Sequence, residues 1–423
     1  MAVDTPAKIA ILGAGPVGLE AALYARYLGY DVDLYESGAV AQGLRHAGHV
    51  RALEPWRAVT TSLGRASLEN QDSRWKAPAH DAVLSNDELA DAYFDKLAQC
   101  DLLADCLQQA TVVAVGREGL QRGDFLQDER RIDVPFRLIV ADAEGERRVE
   151  HADVVFDCTG NSLQTPLGNG GMTALGNGEL SADEYGLPDI LGSRRADFSG
   201  KHTLVVGDGL AAAQSVVTLA KLAAEHPQTR ITWVTRSMPD EATGGPVAFA
   251  ADDPLPRRAE LARQANALAA QSGGILDFWP STHIESLDRS EADGPISIEF
   301  TGLHAGHAVF DRIIAAVAPR PDISLWSEMQ MLVCPALEAP LPMADFLRRQ
   351  AAEPSPDAAS RRVALAQALL NPEPDFYVLG SKSWGRRGDE FTFAEAHEQI
   401  VALFTIIGDR ESLDLYASRF PTS

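Results

Sequence analysis

Ile9-Ala10-Ile11-Leu12-Gly13-Ala14-Gly15-Pro16-Val17-Gly18-Leu19 reads as a short buried strand, a glycine turn and the opening of a helix. The helix is alanine-rich and closes at Gly29, and Val32-Asp33-Leu34-Tyr35 then forms a second strand that ends in Glu36. A dinucleotide pyrophosphate requires this arrangement: a turn free of side chains and a helix N-terminus aimed at its charge. Gly13 permits the tight turn, Gly15 the close approach of the phosphates and Gly18 the packing of helix on strand, with Pro16 and Val17 inside the turn and the helix over 19–28. Glu36 is placed to accept hydrogen bonds from an adenosine ribose.

The same order recurs between Lys201 and Ser237: strand 203–206, turn Gly207-Asp208-Gly209-Leu210-Ala211-Ala212, helix to 224, strand 230–234. Ala212 takes the third glycine's place. The second strand ends in Thr235-Arg236-Ser237 rather than an acid, and a guanidinium suits a 2′-phosphate, so this unit is expected to prefer NADPH to NADH. The ordinary alternative for Arg236 is a solvated surface arginine.

With 423 residues, 45% of them hydrophobic, the chain can build two or three cores. The 60 acidic residues outnumber the 37 basic ones, for a formal charge of −23, which repels nucleic acid and anionic membrane surfaces. Cys100, Cys106, Cys158 and Cys334 match neither a redox Cys-x-x-Cys pair nor a zinc spacing, so no metal is expected and a reducing cytoplasm is the expected compartment. No signal or membrane-spanning pattern is found. Elsewhere the pattern predicts a helix over 86–110, strands at 111–115, 136–141, 153–156, 296–300, 313–317 and 376–379, and a helix over 392–407. A glycine-rich polar linker is expected over 161–200 and a proline-rich passage over 335–356.

With these residues in view, the chain resembles flavoproteins in which an NAD(P)H domain is inserted into an FAD domain, a group that includes thioredoxin-reductase-like enzymes and class B monooxygenases. The resemblance rests on the two glycine turns, on Asp157-Cys158-Thr159-Gly160 and on Val378-Leu379-Gly380 before a C-terminal helix. It implies an α/β fold of two Rossmann-like dinucleotide-binding domains: FAD over 1–165, a linker over 166–199, NADPH over 200–320, and the rest of the FAD domain over 321–423. By the same resemblance Gly13, Gly15, Pro16, Val17, Gly18, Glu36, Thr159, Gly160, Gly380, Ser381 and Thr392 go to FAD, and Gly207, Gly209, Ala212 and Arg236 to NADPH. Where those flavoproteins carry Gly-Asp near the C-terminus this chain has Gly380-Ser381, and the Phe-x-Gly-x-x-x-His monooxygenase fingerprint is absent.

Arg45, His49, Arg51, Trp56 and Arg57 are concentrated after the first strand pair, where open α/β sheets keep ligands, and with Lys382 they are the candidates for the flavin's surroundings. Each also has a structural reading: solvated cation, satisfied histidine or core tryptophan. Without a cysteine pair disulfide reduction is disfavoured, and the leading reading is an NADPH-dependent monooxygenase acting on a small molecule with molecular oxygen, at nitrogen or sulfur. Open beside it stand a reductase passing electrons to a quinone or protein, and a flavin-bearing sensor.

Overall fold

The structure, a computed structural model, describes residues 5–239, 244–249, 253, 255–291, 294–355, 357–410 and 412–417. The chain divides into two compact units, one formed by Met1–Arg45, Pro55–Leu163 and Arg320–Ser423 and the other by His46–Glu54 and Gln164–Pro319. Nine strands build two parallel sheets: β1 (Lys8–Leu12), β2 (Asp31–Glu36), β3 (Leu107–Gln109), β4 (Val154–Asp157), β5 (His202–Val206), β6 (Arg230–Val234), β7 (Leu276–Trp279), β8 (Arg312–Ala315) and β9 (Phe376–Val378).

In the first unit the order is β9-β4-β1-β2-β3, all parallel. Ile9, Ala10, Ile11 and Leu12 are all buried because both faces of the sheet are covered. On one face Ile9 and Ile11 pack with Leu19 and Leu23 of helix α1 (Pro16–Tyr27) and with Leu403 and Phe404 of a helix over Phe393–Ile407. On the other, Ala10, Leu12, Val155 and Phe376 meet Phe136, Leu138 and Val140. These three alternate along the middle strand of an antiparallel sheet, Thr111–Arg117, Phe136–Ala141 and Arg147–Ala152. Burying each such phenylalanine contributes roughly 2–3 kcal/mol. A fully buried triad, Arg117–Glu373–Arg131, ties this sheet to the residues just before β9, with Nε of Arg117 2.9 Å and Nη2 of Arg131 2.8 Å from the Glu373 carboxylate.

The second unit has the order β7-β6-β5-β8, again parallel. Val205, Trp233 and Ile314 face helices α2 (Leu210–Glu225) and α3 (Pro256–Ala270). Leu204, Val234 and Ile313 face an antiparallel sheet of Thr282–Arg289, Ile296–Gly302 and Gly306–Phe310. The repeat seen in the sequence therefore extends past strand–turn–helix–strand: each unit stacks helices, a parallel sheet and a three-stranded antiparallel sheet.

Several elements differ from expectation. Helical structure after Asn86 ends at Ala98, with a π-turn over Ala90–Phe94, and β3 follows as an edge strand whose Gln108 and Gln109 gave no apolar signal. The passage over 335–356 holds a helix, α4 (Leu341–Ala352), with Pro342 in its first turn, where a missing N–H costs nothing; Pro356 lies outside the described residues. The segment over 166–199 lies along the second unit, bridging to Ile284, Ser286 and Ala315. With α5 (Ala358–Leu369), the helix over Phe393–Ile407 is α6.

Candidate functional site

In both sheets the chain runs outward in one direction from the first strand to the third and then crosses back to lay the fourth on the other side of the first. The crevice at that reversal, at the strands' carboxyl ends, is where doubly wound sheets bind ligands. Both glycine turns lie there. Gly13 N–H donates to the Tyr35 carbonyl at 2.7 Å and Gly207 N–H to that of Val234 at 3.1 Å. Both glycines have positive φ, +100° and +136°, and a Cβ on either would press on a carbonyl just past the fourth strand, Cys158 O at 2.9 Å or Ala316 O at 2.3 Å. Each turn is thus pinned between second and fourth strands and needs glycine there.

Gly15 differs: a Cβ placed on it meets nothing within 4 Å, so the space beside the α1 N-terminus is open and a larger side chain would fill it. Gly15 is the N-cap of α1 with no side-chain cap, and Pro16 opens the helix, so its first N–H groups are without a side-chain acceptor. That is the cradle a pyrophosphate fits. Gly18 is packed, its Cβ position 1.9 Å from Gly13 O, whereas Ala212 is accommodated and fully buried in the second unit. Glu36 ends β2 beside the cradle, accepting from Ala14 N–H at 2.7 Å and Gly38 N–H at 2.8 Å. Gly209 caps α2 in extended conformation, and the exposed Arg236 lies with Nε 3.6 Å from the Asp208 carboxylate of the second turn.

The C-terminal segment joins the first crevice, because β9 pairs with β4. Gly380, at φ +75°, has its Cβ position 3.2 Å from Val17 Cγ2, and that of Gly160 lies 3.6 Å from Ser381 Oγ, so Val17, Gly160, Gly380 and Ser381 come together. Lys382 is not an exposed amine. It is 1% exposed, with Nζ 2.6 Å from Asp157 Oδ2 and 2.8 Å from Thr159 Oγ1, and Trp326 Nε1 donates to the same Asp157 oxygen at 2.7 Å. Gln399 of α6 accepts from Gly380 N–H at 2.9 Å and donates to Ser383 Oγ at 2.8 Å. Trp326 and Gln399 are supporting residues that the sequence reading did not single out, whereas Asp157 entered it only as part of the Asp157-Cys158-Thr159-Gly160 motif; the polar Gln399 within an apolar helix face was the available signal. Thr392 caps α6, its hydroxyl accepting from Glu395 N–H at 3.2 Å.

The candidates after the first strand pair are divided between the two units. Arg45 is held by Asp91 at 2.9 Å and Asp95 at 2.7 Å, Arg57 pairs with Asp81, and Trp56 is 1% exposed against Tyr93. His49 and Arg51 belong to the second unit and line a cavity there. Burial pushes the thiols of Cys100, Cys106 and Cys158 upward, and all four cysteines are free. Among the described residues no helix is long and apolar enough to cross a membrane, and no cluster of His, Cys, Asp and Glu fit for a metal is found.

No family model matches the chain, and no curated protein matches it in sequence. Solved structures do match in fold. Bacillithiol disulfide reductase Bdr (YpdA) from Bacillus cereus is 13% identical with TM-score 0.61, over 96% of this chain and 99% of its own. DfoA, the cadaverine monooxygenase of desferrioxamine biosynthesis from Erwinia amylovora, solved with FAD, is 13% identical with TM-score 0.60, over 96% of each chain. The ornithine N-hydroxylase KtzI from Kutzneria sp. 744, solved with reduced FAD, NADP+ and L-ornithine, is 13% identical with TM-score 0.57, over 96% of this chain and 100% of its own. The chain has the two-Rossmann-domain α/β fold of these oxidoreductases, across nearly its full length.

Proposed function

We propose that the chain is an FAD- and NADPH-dependent monooxygenase acting on a small molecule, with nitrogen or sulfur as the atom hydroxylated. The observation that carries this is the pair of glycine cradles at equivalent switch points, combined with the absence of a paired thiol among four free cysteines, three of them buried. The FAD-bound DfoA and the FAD- and NADP+-bound KtzI support the cofactor pair. A reducing cytoplasm suits the free thiols.

In this reading Gly13, Gly15 and the α1 N-terminus hold the FAD pyrophosphate, Glu36 holds the ribose, and Thr159, Gly160, Gly380 and Ser381 border the flavin end. Bound flavin supplies hydride acceptance from NADPH and activation of dioxygen. The overall change is substrate plus NADPH, H+ and O2 to hydroxylated substrate, NADP+ and water. The chain's own residues bind and orient: Lys382 fixes Thr159 through its ammonium, and Gln399 and Ser383 fix the Gly380 turn. Gly207, Gly209, Ala212 and the α2 N-terminus hold the NADPH pyrophosphate, and Arg236 reaches the 2′-phosphate.

NADPH oxidation with oxygen uptake, measured against a panel of primary amines and thioethers and against quinones, tests the reading. Oxygen consumed one-for-one with hydroxylated product supports it. Quinone-driven NADPH oxidation with no oxygenated product from any amine or thioether would replace it with the reductase.

A further inference from the structure

A cavity of about 640 Å3 lies wholly within the second unit, and none of the glycine-turn residues lines it. Helix α2 presents Gln214, Thr218 and Lys221 to it, at i, i+4 and i+7, and α3 presents Arg257, Glu260 and Gln264, at i, i+3 and i+7. The segment over 49–53 and the segment over 187–191 complete the lining. The volume is that of a small-molecule pocket.

Its chemistry is selective. Leu53, Leu187, Ile190, Leu191, Val217 and Leu261 supply an aliphatic lining, and no Phe, Tyr or Trp contributes. An alkyl body is matched by this lining. Four cationic or titratable-basic side chains, His49, Arg51, Lys221 and Arg257, gather here in a chain of formal charge −23. The two acids of the lining are already engaged. Asp189 accepts from Ser193 N–H at 2.7 Å and Ser193 Oγ at 3.1 Å, and Glu260 is bound by Arg263 and, at 2.8 Å, by Gln264. Lys221 and Arg257 form no ion pair among the described residues. Lys221 and Arg257 beside an aliphatic lining complement a molecule that joins an anionic head to an alkyl body.

We propose that this cavity is a binding site for a small aliphatic oxyanion, a carboxylate or phosphate monoester on an alkyl body, with Lys221 and Arg257 on the headgroup and the leucines around the chain. The site is separate from the two cofactor cradles and does not depend on which reaction they serve.

Isothermal titration of the full chain with decanoate, decyl phosphate, decanol and decyltrimethylammonium, each below its micelle-forming concentration, tests it. At least one of the two anions should bind, decanol at least ten-fold more weakly and the cation not measurably. Comparing decanoate with decyl phosphate identifies the headgroup. The exposed double variant K221A/R257A should weaken the anion ten-fold or more while leaving decanol unchanged, and L261E should abolish both. Equal affinity for decanol and the anions, an undiminished anion affinity in K221A/R257A, or no binding by any probe would overturn the proposal.

Discussion

At the scale of single residues, the first unit depends on buried charges whose partners lie far away in sequence. Lys382 and Asp157 sit 225 positions apart and are fully buried at 2.6 Å. Replacing Lys382 by methionine leaves Asp157 charged, with Trp326 as its remaining long-range donor, and should cost about 3–5 kcal/mol in urea unfolding, with K382M/D157L recovering part of that. Wild-type stability in K382M would show that the pair contributes nothing. Glu20, on α1, is held by Tyr93 OH at 2.5 Å, Thr61 Oγ1 at 2.9 Å and Tyr416 OH at 3.3 Å, and burial pushes its carboxyl up to about 7. A raised carboxyl favours the protonated native state, so its contribution is complete below its ordinary value of 4.5 and is lost as pH rises toward 7. His397, edge-on to Tyr416, runs the other way: burial pushes it down to about 4, and its contribution is lost as pH falls from 6.5. The two slopes oppose each other in wild type. E20Q removes one, so its stability relative to wild type should rise by about 3 kcal/mol between pH 4.5 and 7. A pH-independent difference would refute the buried protonated carboxyl.

At the scale of elements, α1 distinguishes glycines required by contact from those required by backbone conformation. A Cβ on Gly18 would lie 1.9 Å from Gly13 O, and no rotamer relieves a backbone clash, so G18A should force the helix off the turn and lose both stability and flavin. Gly29, at φ +91° with nothing within 4 Å of its Cβ position, should cost only about 1 kcal/mol as G29A and keep its flavin. Thermal melts with flavin content read both, and equal effects would contradict the packing described. Both turns and their strands were legible because glycines flanked by short apolar runs leave few alternatives. Strand β3 was not: an edge strand with one covered side needs no apolar run, and Leu107-Gln108-Gln109 supplies none. Helix α4 was hidden by prolines that mark its start.

At the scale of the whole molecule, the sequence pattern led to two dinucleotide units, and the structure adds that each is a three-layer stack with its turn at the sheet's reversal. The positions of His49 and Arg51 could not be read locally, because the chain leaves the first unit at His46 and returns at Pro55. Membership of a nine-residue excursion is decided by long-range packing. Arg236 belongs to this scale too: if it reads the 2′-phosphate, R236A should lower the NADPH-over-NADH preference by roughly one to two decades, the worth of a charge-assisted hydrogen bond. The most direct measurement is anaerobic mixing of purified full-length protein, loaded with FAD, with NADPH or NADH while the flavin absorbance is followed. The account predicts a yellow protein that releases FAD on denaturation, is bleached faster by NADPH than by NADH, and is colourless as G15L. A protein that takes up no FAD, keeps full FAD as G15L, or holds flavin that neither nicotinamide bleaches would contradict it.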